Sequence, residues 1–587
     1  MWLIAIIILA ALLRLQNLQL LSLKLPSGYD PFYHLRLAEV IVRSGYRPDF
    51  DYYLNYPHGL NIGWLPLFDY ILAFPGMLFG FDAAIYFSLV FPVVLGVLNT
   101  ILVYVIARKL GDENFALLSA LVYATIPAAV HTSVLGFADH HAWNTFLVLL
   151  AFYLLLRFPP VAAAPLTVLA FSWVGAPIYA AVLALASFLH FDEKKMLRAL
   201  PAFLIPVVAA VVSHTVALSF VAIAAFLVIG VFIKRFGNIR VELGYIAAAA
   251  LTLAVLYLAP VKELGFVKRG VSYLIGANIY LPTIAEAQSF DFAGVMSLTG
   301  YLSFLLALPS LFTFRDRFLQ AFFFTSLALS ILQSRFTEIL AVPISFFAAN
   351  TLIYVFERTE VIVREEEESE EEDTKKKKRS KRRKERRSKK EEKLSLGDKA
   401  VVAAFLAVIF TPSFIISIKP SELSEDWQAA LTWLKENTDS TSHYLTPDKG
   451  KPEYSILSWW DYGNWIVFVA KRPVVCNNFQ AGAIDAARFF TAQNEEDALK
   501  IAKKRGVRYV VTDEEMGFEN ESGKYTGKFE AIMSIAGLKP ELMDDEDVLD
   551  FYNTSMLYRL HEEDAENLKH FRLVEEFGKV KIFEVVG

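Results

Sequence analysis

The sequence predicts a polytopic α-helical membrane protein, of about thirteen transmembrane helices, with a mixed α/β globular domain at its C-terminal end. Three observations carry that prediction. Apolar runs long enough to cross a bilayer recur from residue 1 to about 357 and again at about 399–418. Residues 419–587 have no such runs and show the mixed, amphipathic patterning of a soluble domain. Hydrophobic residues make up 55% of the 587, and the mean hydropathy of +0.40 exceeds what a soluble chain of this size shows. The chain therefore divides into a membrane domain, 1–418, and a soluble domain, 419–587.

Within the first unit the candidate crossings are about 2–22, 83–107, 114–130, 142–157, 160–175, 177–191, 199–213, 215–233, 241–260, 294–312, 318–333, 337–356 and 399–418. The stretch 64–80 is apolar but carries Asp69 and Pro75, so it reads as part of a long, partly embedded loop. Residues 1–21 have no basic leader, carry Arg14 inside the apolar run and show no small-x-small cleavage signal, which predicts a retained first helix.

The net charge of −5 conceals a block at 364–393, acidic from Glu365 to Asp373 and mostly basic from Lys375 to Lys390. Such a run buries no apolar surface and reads as a solvated linker, not as a nucleic-acid-binding tail. With Cys476 the single cysteine, no intrachain disulfide forms, and the soluble domain must hold together by packing or bound ions.

The charges between crossings set the orientation. With the N-terminus in the cytoplasm, Arg108, Lys109, Arg157, Lys194, Lys195, Arg198, Lys234, Arg235, Arg240, Arg315, Arg317 and the charged block all fall on the cytoplasmic side. The loops 23–82, 131–141 and 261–293 and the soluble domain then share the outer side, in a multi-pass protein of the cell membrane.

Those outer regions carry the residues suited to chemistry. Asp30 lies in Gly28-Tyr29-Asp30-Pro31-Phe32-Tyr33-His34, before a predicted helix from Pro31 to Arg43, and is placed like an N-cap. The second loop holds Asp139-His140-His141. An acid and two imidazoles are costly in so apolar a setting, and Asp-x-His offers two ligands to one divalent ion; oxygen-rich ligands with one imidazole suit Mn²⁺ or Mg²⁺. A plain polar loop explains the same string. Glu286, in Leu281-Pro282-Thr283-Ile284-Ala285-Glu286, is unremarkable by itself. The most specific string is Ser458-Trp459-Trp460-Asp461-Tyr462-Gly463: broad rings exclude water around one carboxylate able to grip a small polar group. Its plainer alternative is an aromatic core cluster that turns at Gly463.

Taken in order, Tyr29-Asp30, Asp139-His140-His141, Thr283-Ile284-Ala285-Glu286 and Trp459-Trp460-Asp461-Tyr462-Gly463 resemble the signature of oligosaccharyltransferase catalytic subunits, the archaeal ones in particular, which are GT-C type membrane glycosyltransferases. The resemblance runs the length of the chain. It implies transfer of an oligosaccharide from a dolichyl phosphate or pyrophosphate carrier to the asparagine of Asn-x-Ser/Thr sequons in acceptor polypeptides, with inversion at the anomeric carbon. It implies that Asp30, Asp139 and His141 ligate the metal, that Asp30 and Glu286 contact the acceptor asparagine, and that Trp459, Trp460 and Asp461 bind the hydroxyl at the +2 position. Lys528 and Ile532 in Gly527-Lys528-Phe529-Glu530-Ala531-Ile532 look like the second half of an accompanying lysine motif, with Asp513 as its first half. His140 and Arg335 are expected at the lipid phosphate, and single-chain members of the family imply action as one subunit. Rival readings are a protein O-mannosyltransferase or related lipid-phosphate glycosyltransferase, which needs no sequon pocket, a transporter, which tends to repeat its halves, and a receptor, which would tolerate loss of Glu286.

In the soluble domain Trp427–Asn437 and Glu495–Arg505 read as amphipathic helices, the second closed by Gly506, and Val507–Thr512 as a buried strand. Two sequons, at Asn520 and Asn553, are compatible with an outer location.

Overall fold

The computed structural model describes residues 1–258, 292–358 and 423–586, apart from 522 and 523, with isolated positions between 272 and 418. Glu286, the charged block, Ser522 of the first sequon and most of the predicted crossing 399–418 lie outside the described residues.

Among the described residues the membrane domain is mostly helical, with a short antiparallel ribbon, Phe50–Asp51 and Leu60–Asn61, in its first loop, and its apolar segments are broken more often than hydropathy suggests. Among the described residues, Phe81–Leu110, His214–Phe236 and Ser334–Glu357 are long and apolar enough to cross a bilayer unaided. Phe292–Thr299 and Tyr301–Thr313 form an apolar pair bent by 102°. Trp2–Arg14, Leu67–Phe79, Pro159–Ser172, Ala176–His190 and Arg317–Leu332 are shorter apolar helices.

The breaks have local causes. The run 114–130 divides into Glu113–Thr125 and Pro127–His131, because Pro127 has no N–H to continue the ladder. The first run stops at Arg14, which is fully buried. Its guanidinium donates to Ser133 Oγ at 2.7 Å and to the carbonyls of Ala10, Ala124 and Ala129 at 3.0–3.2 Å. Arg14 thus satisfies carbonyls on both sides of the Pro127 break. The stretch 64–80 is a helix, Leu67–Phe79, and not the loop its sequence suggested. Asp69 is tolerated there because Arg47 Nε and His34 Nδ1 each lie 2.6 Å from its carboxylate.

The soluble domain is built on a four-stranded sheet in the order Ser455–Leu457, Val507–Asp513, Val580–Val585, Phe571–Phe577. The first pair is parallel and the other two antiparallel. The two expected helices form as Glu425–Asn437 and Glu495–Lys504, started by side-chain caps from Ser424 and Asn494. Ile456, Val510, Val511, Ile582 and Phe583 are fully buried in its core.

That core does not stop at the domain boundary. The helix Asp30–Ser44 contributes Phe32, Tyr33, Leu35 and Leu37 to the same buried cluster as Trp459, Trp465 and Ile466. Backbone bonds join Val474 N to Tyr53 O at 2.8 Å and Tyr56 N to Val474 O at 3.0 Å. Arg36, fully buried, pairs with Asp51 and sits against the rings of Tyr33, Tyr53 and Tyr444. The segment that follows the first helix, from Asp30 to Tyr56, is therefore packed as part of the soluble domain.

Candidate active site

Three segments distant in sequence converge above the helical body. Loop 131–139 packs on the first loop through Ser27 N, which donates to Gly136 O at 3.0 Å. Gly136 has φ +85°, and a Cβ there would lie 2.9 Å from Leu20 and 3.0 Å from Ser27 N, so only glycine permits that approach.

Asp30 is the first residue of the helix Asp30–Ser44, with Pro31 next, and Tyr29 takes the cap position expected for Asp30. Asp30 Oδ1 accepts from Asn464 Nδ2 at 3.2 Å. Asp139 caps His140–Arg157 and accepts from His140 N at 2.6 Å. His140 Nδ1 lies 2.5 Å from Asp139 Oδ1, His34 Nε2 3.7 Å from the same oxygen, and His141 Nε2 3.6 Å from Oδ2. Asp139 thus meets three imidazoles. Among the described residues, His34, Asp139 and His140 are the grouping whose ligand atoms all lie within 4.8 Å of one another; Asp30 and His141 are not in it.

A carboxylate with several imidazoles, buried beside further acids, fits a divalent cation. The electrostatics agree. Burial lowers the His34 pKa, but Asp69 and Asp139 outweigh it and raise the value to about 10. A position that holds positive charge so firmly on an imidazole favours a metal cation on the same ground. The other nitrogen of His141, Nδ1, lies 3.1 Å from Glu338 Oε2, and Tyr179 OH donates to Glu338 Oε1 at 2.6 Å. Arg335, half-buried in the turn Ser334–Phe336, lies just before Glu338 at the start of the helix Thr337–Arg358.

In the soluble domain, Trp459 and Trp460 are buried with their rings edge to face, 5.8 Å apart. The turn Trp460–Tyr462 presents Asp461, whose Oδ2 lies 2.9 Å from Lys528 Nζ. Lys528 also donates to Tyr462 OH at 3.2 Å and lies 3.2 Å from Glu515 Oε2. Burial opposes its charge, yet Tyr462 and Asp461 hold its pKa above the usual lysine range. Lys528 precedes the helix Phe529–Ala536, on which Ile532 is fully buried. Asp513 does not reach Lys528; it accepts from Trp427 Nε1 and, at 2.7 Å, from Glu515 N.

His34, Glu338 and Asn464 were not singled out as site residues from the sequence. His34 carried a signal, since it lies four residues after Asp30 on a helix and shares its face. Glu338 and Asn464 carried none until the fold brought them to His141 and Asp30.

Known proteins share the sequence and the fold of this chain. The model of the oligosaccharyl transferase STT3 N-terminal region matches residues 23–363, and that of the AglB core domain matches 424–517. Dolichyl-phosphooligosaccharide-protein glycotransferase 2 of Archaeoglobus fulgidus is 49% identical, over 99% of this chain and 98% of that protein. Glycotransferase 1 of the same organism is 47% identical, over 96% of this chain and 94% of that protein. The archaeal oligosaccharyltransferase AglB from Archaeoglobus fulgidus, solved with an inhibitory peptide and a dolichol-phosphate, superposes with a TM-score of 0.77 at 22% identity, covering 98% of this chain and 79% of that one. Fold and site together define a membrane-embedded glycosyltransferase. The chain belongs to the STT3 family of oligosaccharyltransferases, with the archaeal dolichyl-phosphooligosaccharide-protein glycotransferases among its relatives.

Proposed function

We propose that the chain moves an oligosaccharide from a dolichyl phosphate carrier to the asparagine side chain of Asn-x-Ser/Thr segments in acceptor polypeptides, acting as a single subunit. The N-terminus is cytoplasmic in this reading, and the soluble domain lies outside the cell membrane, over thirteen crossings. The observation that carries it is the seating of the Trp459–Trp465 segment against the Asp30 loop: Trp465 Nε1 donates to Gly28 O at 2.9 Å, and the Tyr29 and Trp465 rings stack at 5.0 Å. An acceptor anchored at Asp461 then presents its asparagine beside the acids of the membrane domain.

The roles follow from the chemistry. Asp461 accepts a hydrogen bond from the +2 hydroxyl, Trp459 and Trp460 exclude water from beneath it, and Lys528 and Ile532 hold the wall of the pocket. An amide nitrogen is a poor nucleophile because its lone pair is shared with the carbonyl. Asp30 and Glu286 accept from its N–H groups and fix it near the anomeric carbon. The new C–N bond forms as the bond from that carbon to the phosphate oxygen breaks. The bonding pair leaves with the lipid phosphate, and one amide proton passes to a carboxylate. Attack opposite the leaving group inverts the carbon. Asp139 and His141, with Asp30, would hold a divalent cation, Mn²⁺ or Mg²⁺, which would supply Lewis-acid stabilisation to the leaving phosphate. His140 and Arg335 contact that phosphate, which a membrane-bound lipid must bring to this surface.

The test is glycan transfer from a lipid extract to a short Asn-x-Thr peptide, with Mn²⁺ or with EDTA, for the wild type and Asp461→Ala. Transfer that needs the metal, is lost with an Asn→Gln peptide and drops sharply in the variant is the expected result. A folded protein that transfers nothing from a matched donor would shift the reading to O-glycosyl transfer.

A further inference from the structure

We propose that Asn464 is a positioning residue: oriented by Asn477, it sets the Asp30 carboxylate for the acceptor amide. The inference rests on the role given to Asp30 above and assigns a function to the residue that directly follows the Trp-Trp-Asp-Tyr-Gly string.

Asn464 and Asn477 are both fully buried. Their amides form a chain with one direction. Phe479 N donates to Asn477 Oδ1 at 3.4 Å, Asn477 Nδ2 donates to Asn464 Oδ1 at 2.7 Å, and Asn464 Nδ2 donates to Asp30 Oδ1 at 3.2 Å. The backbone N–H at the start cannot be reversed, and the carboxylate and Tyr29 O, 3.4 Å from Asn464 Nδ2, are both acceptors. Turning either amide over would set like against like at two contacts in a dry interior. A single orientation of Asn464 is therefore enforced from the soluble domain and delivered to an acid of the membrane domain.

The backbone is shaped for this contact. A Cβ on Gly463 would lie 2.4 Å from Cys476 O and 2.6 Å from Asn477 Cα, so a side chain there would push the two asparagines apart. Asn478 Nδ2 bonds Asp461 O at 3.2 Å, tying the same strand of chain to the sequon pocket. One short segment thus fixes both the anchor for the +2 hydroxyl and the donor to Asp30. A carboxylate that must receive an amide N–H gains from having one oxygen already pinned, because its lone pairs are then aimed before substrate arrives.

The experiment uses the full-length protein with its lipid donor at saturation and varies the Asn-x-Thr peptide. Asn464→Asp keeps the size of the side chain and replaces the donor with an acceptor; Asn464→Leu removes both. Each is expected to lower kcat on the order of 10- to 100-fold while KM for the peptide moves less than roughly 3-fold. Asn477→Leu should lower kcat by a smaller factor, and adding it to Asn464→Leu should change little further, since both act through one contact. Tyr56→Phe removes a bond to Pro452 O, 3.1 Å long, that joins the first loop to the soluble domain away from Asp30, and serves as the measure of domain docking alone; its kcat should stay within roughly 3-fold of wild type. An Asn464→Asp protein with wild-type kcat overturns the proposal. So does a loss that Tyr56→Phe reproduces, or one that appears in KM instead. Asp30→Ala separates the two levels: full transfer by that variant refutes the role of Asp30, whereas its inactivity beside an unimpaired Asn464→Asp refutes only the positioning.

Discussion

Glu338 and His141 face each other with Oε2 of the acid 3.1 Å from Nδ1 of the ring, and the opposite nitrogen, Nε2, lies 3.6 Å from Asp139 Oδ2. A carboxylate on one ring nitrogen keeps the proton there and frees the other as a ligand. Tyr179 OH, bonded to the second oxygen of Glu338, prevents the acid from turning away. Glu338→Gln should therefore weaken Mn²⁺ binding roughly 10- to 100-fold without disturbing the fold. Titration of the purified protein with Mn²⁺, followed by its paramagnetic signal, reads this directly; unchanged affinity would separate Glu338 from the metal.

The three imidazoles at Asp139 differ in what metal binding should ask of them. Asp139→Ala should abolish detectable Mn²⁺ binding, since every candidate arrangement uses that carboxylate. If His141 is the ligand, His141→Ala should raise the Kd by on the order of 100-fold, while His34→Ala, which leaves Asp139 and His141 in place, should raise it by less than roughly 10-fold. The reverse order would assign the ion to the tighter His34, Asp139 and His140 grouping. EDTA should stop transfer in the wild type, and added Mn²⁺ should restore it.

Asp461 is held by the Lys528 ammonium 2.9 Å away, and the same ammonium lies over the Tyr462 ring at 4.7 Å. Lys528 thus shapes the pocket through Asp461 and through the wall at once. Asp461→Ala should raise the KM for an Asn-x-Thr peptide roughly 10- to 100-fold, because it removes the acceptor for the +2 hydroxyl. Lys528→Ala should raise it by a smaller factor, about 3- to 10-fold, and the double variant should be little worse than Asp461→Ala. Kinetics over a range of peptide concentrations decide the matter: a fall confined to kcat in Asp461→Ala would remove Asp461 from sequon binding.

What the sequence revealed and what it hid divide along physical lines. The fold class was legible because bilayer-length apolar runs and ordinary amphipathic helices have distinct periods, and Ser424 and Asn494 mark helix starts in plain view. The same bookkeeping of charge between runs puts Asp30 and Asp139 on one side of the membrane, and the fold packs their two loops together. Hydropathy failed where a polar group is satisfied by something far along the chain. Asp69 looked like an interruption because Arg47 and His34 could not be seen to neutralise it. Arg14 reads in the sequence as a stray charge inside an apolar run, because the carbonyls freed at Pro127 exist only once two helices pack. Glu338 carries no signal in the sequence, because only packing brings it to His141 and Tyr179.

Asp513 should give the soluble domain a stability that depends on pH in an unusual sense for an acid. Burial, with a smaller contribution from the Glu515 charge, raises its pKa to about 6, despite the bonds from Glu515 N and Trp427 Nε1 that favour the carboxylate. The unfolded chain releases the proton near 3.8, so between that value and about 6 the folded state binds more protons than the unfolded one. Stability from this group is therefore full below the unfolded pKa and is lost as pH rises through about 6. Asp513→Asn removes the titration and keeps an oxygen able to accept from one of the two donors. Urea unfolding of wild type and variant, followed by tryptophan fluorescence in detergent, should show their stability difference moving against the wild type between pH 4 and pH 7, by no more than about 3 kcal/mol. A difference that is flat across that range, or that moves in favour of the wild type as pH rises, would show that Asp513 is charged in the folded protein and that its two hydrogen bonds outweigh its burial.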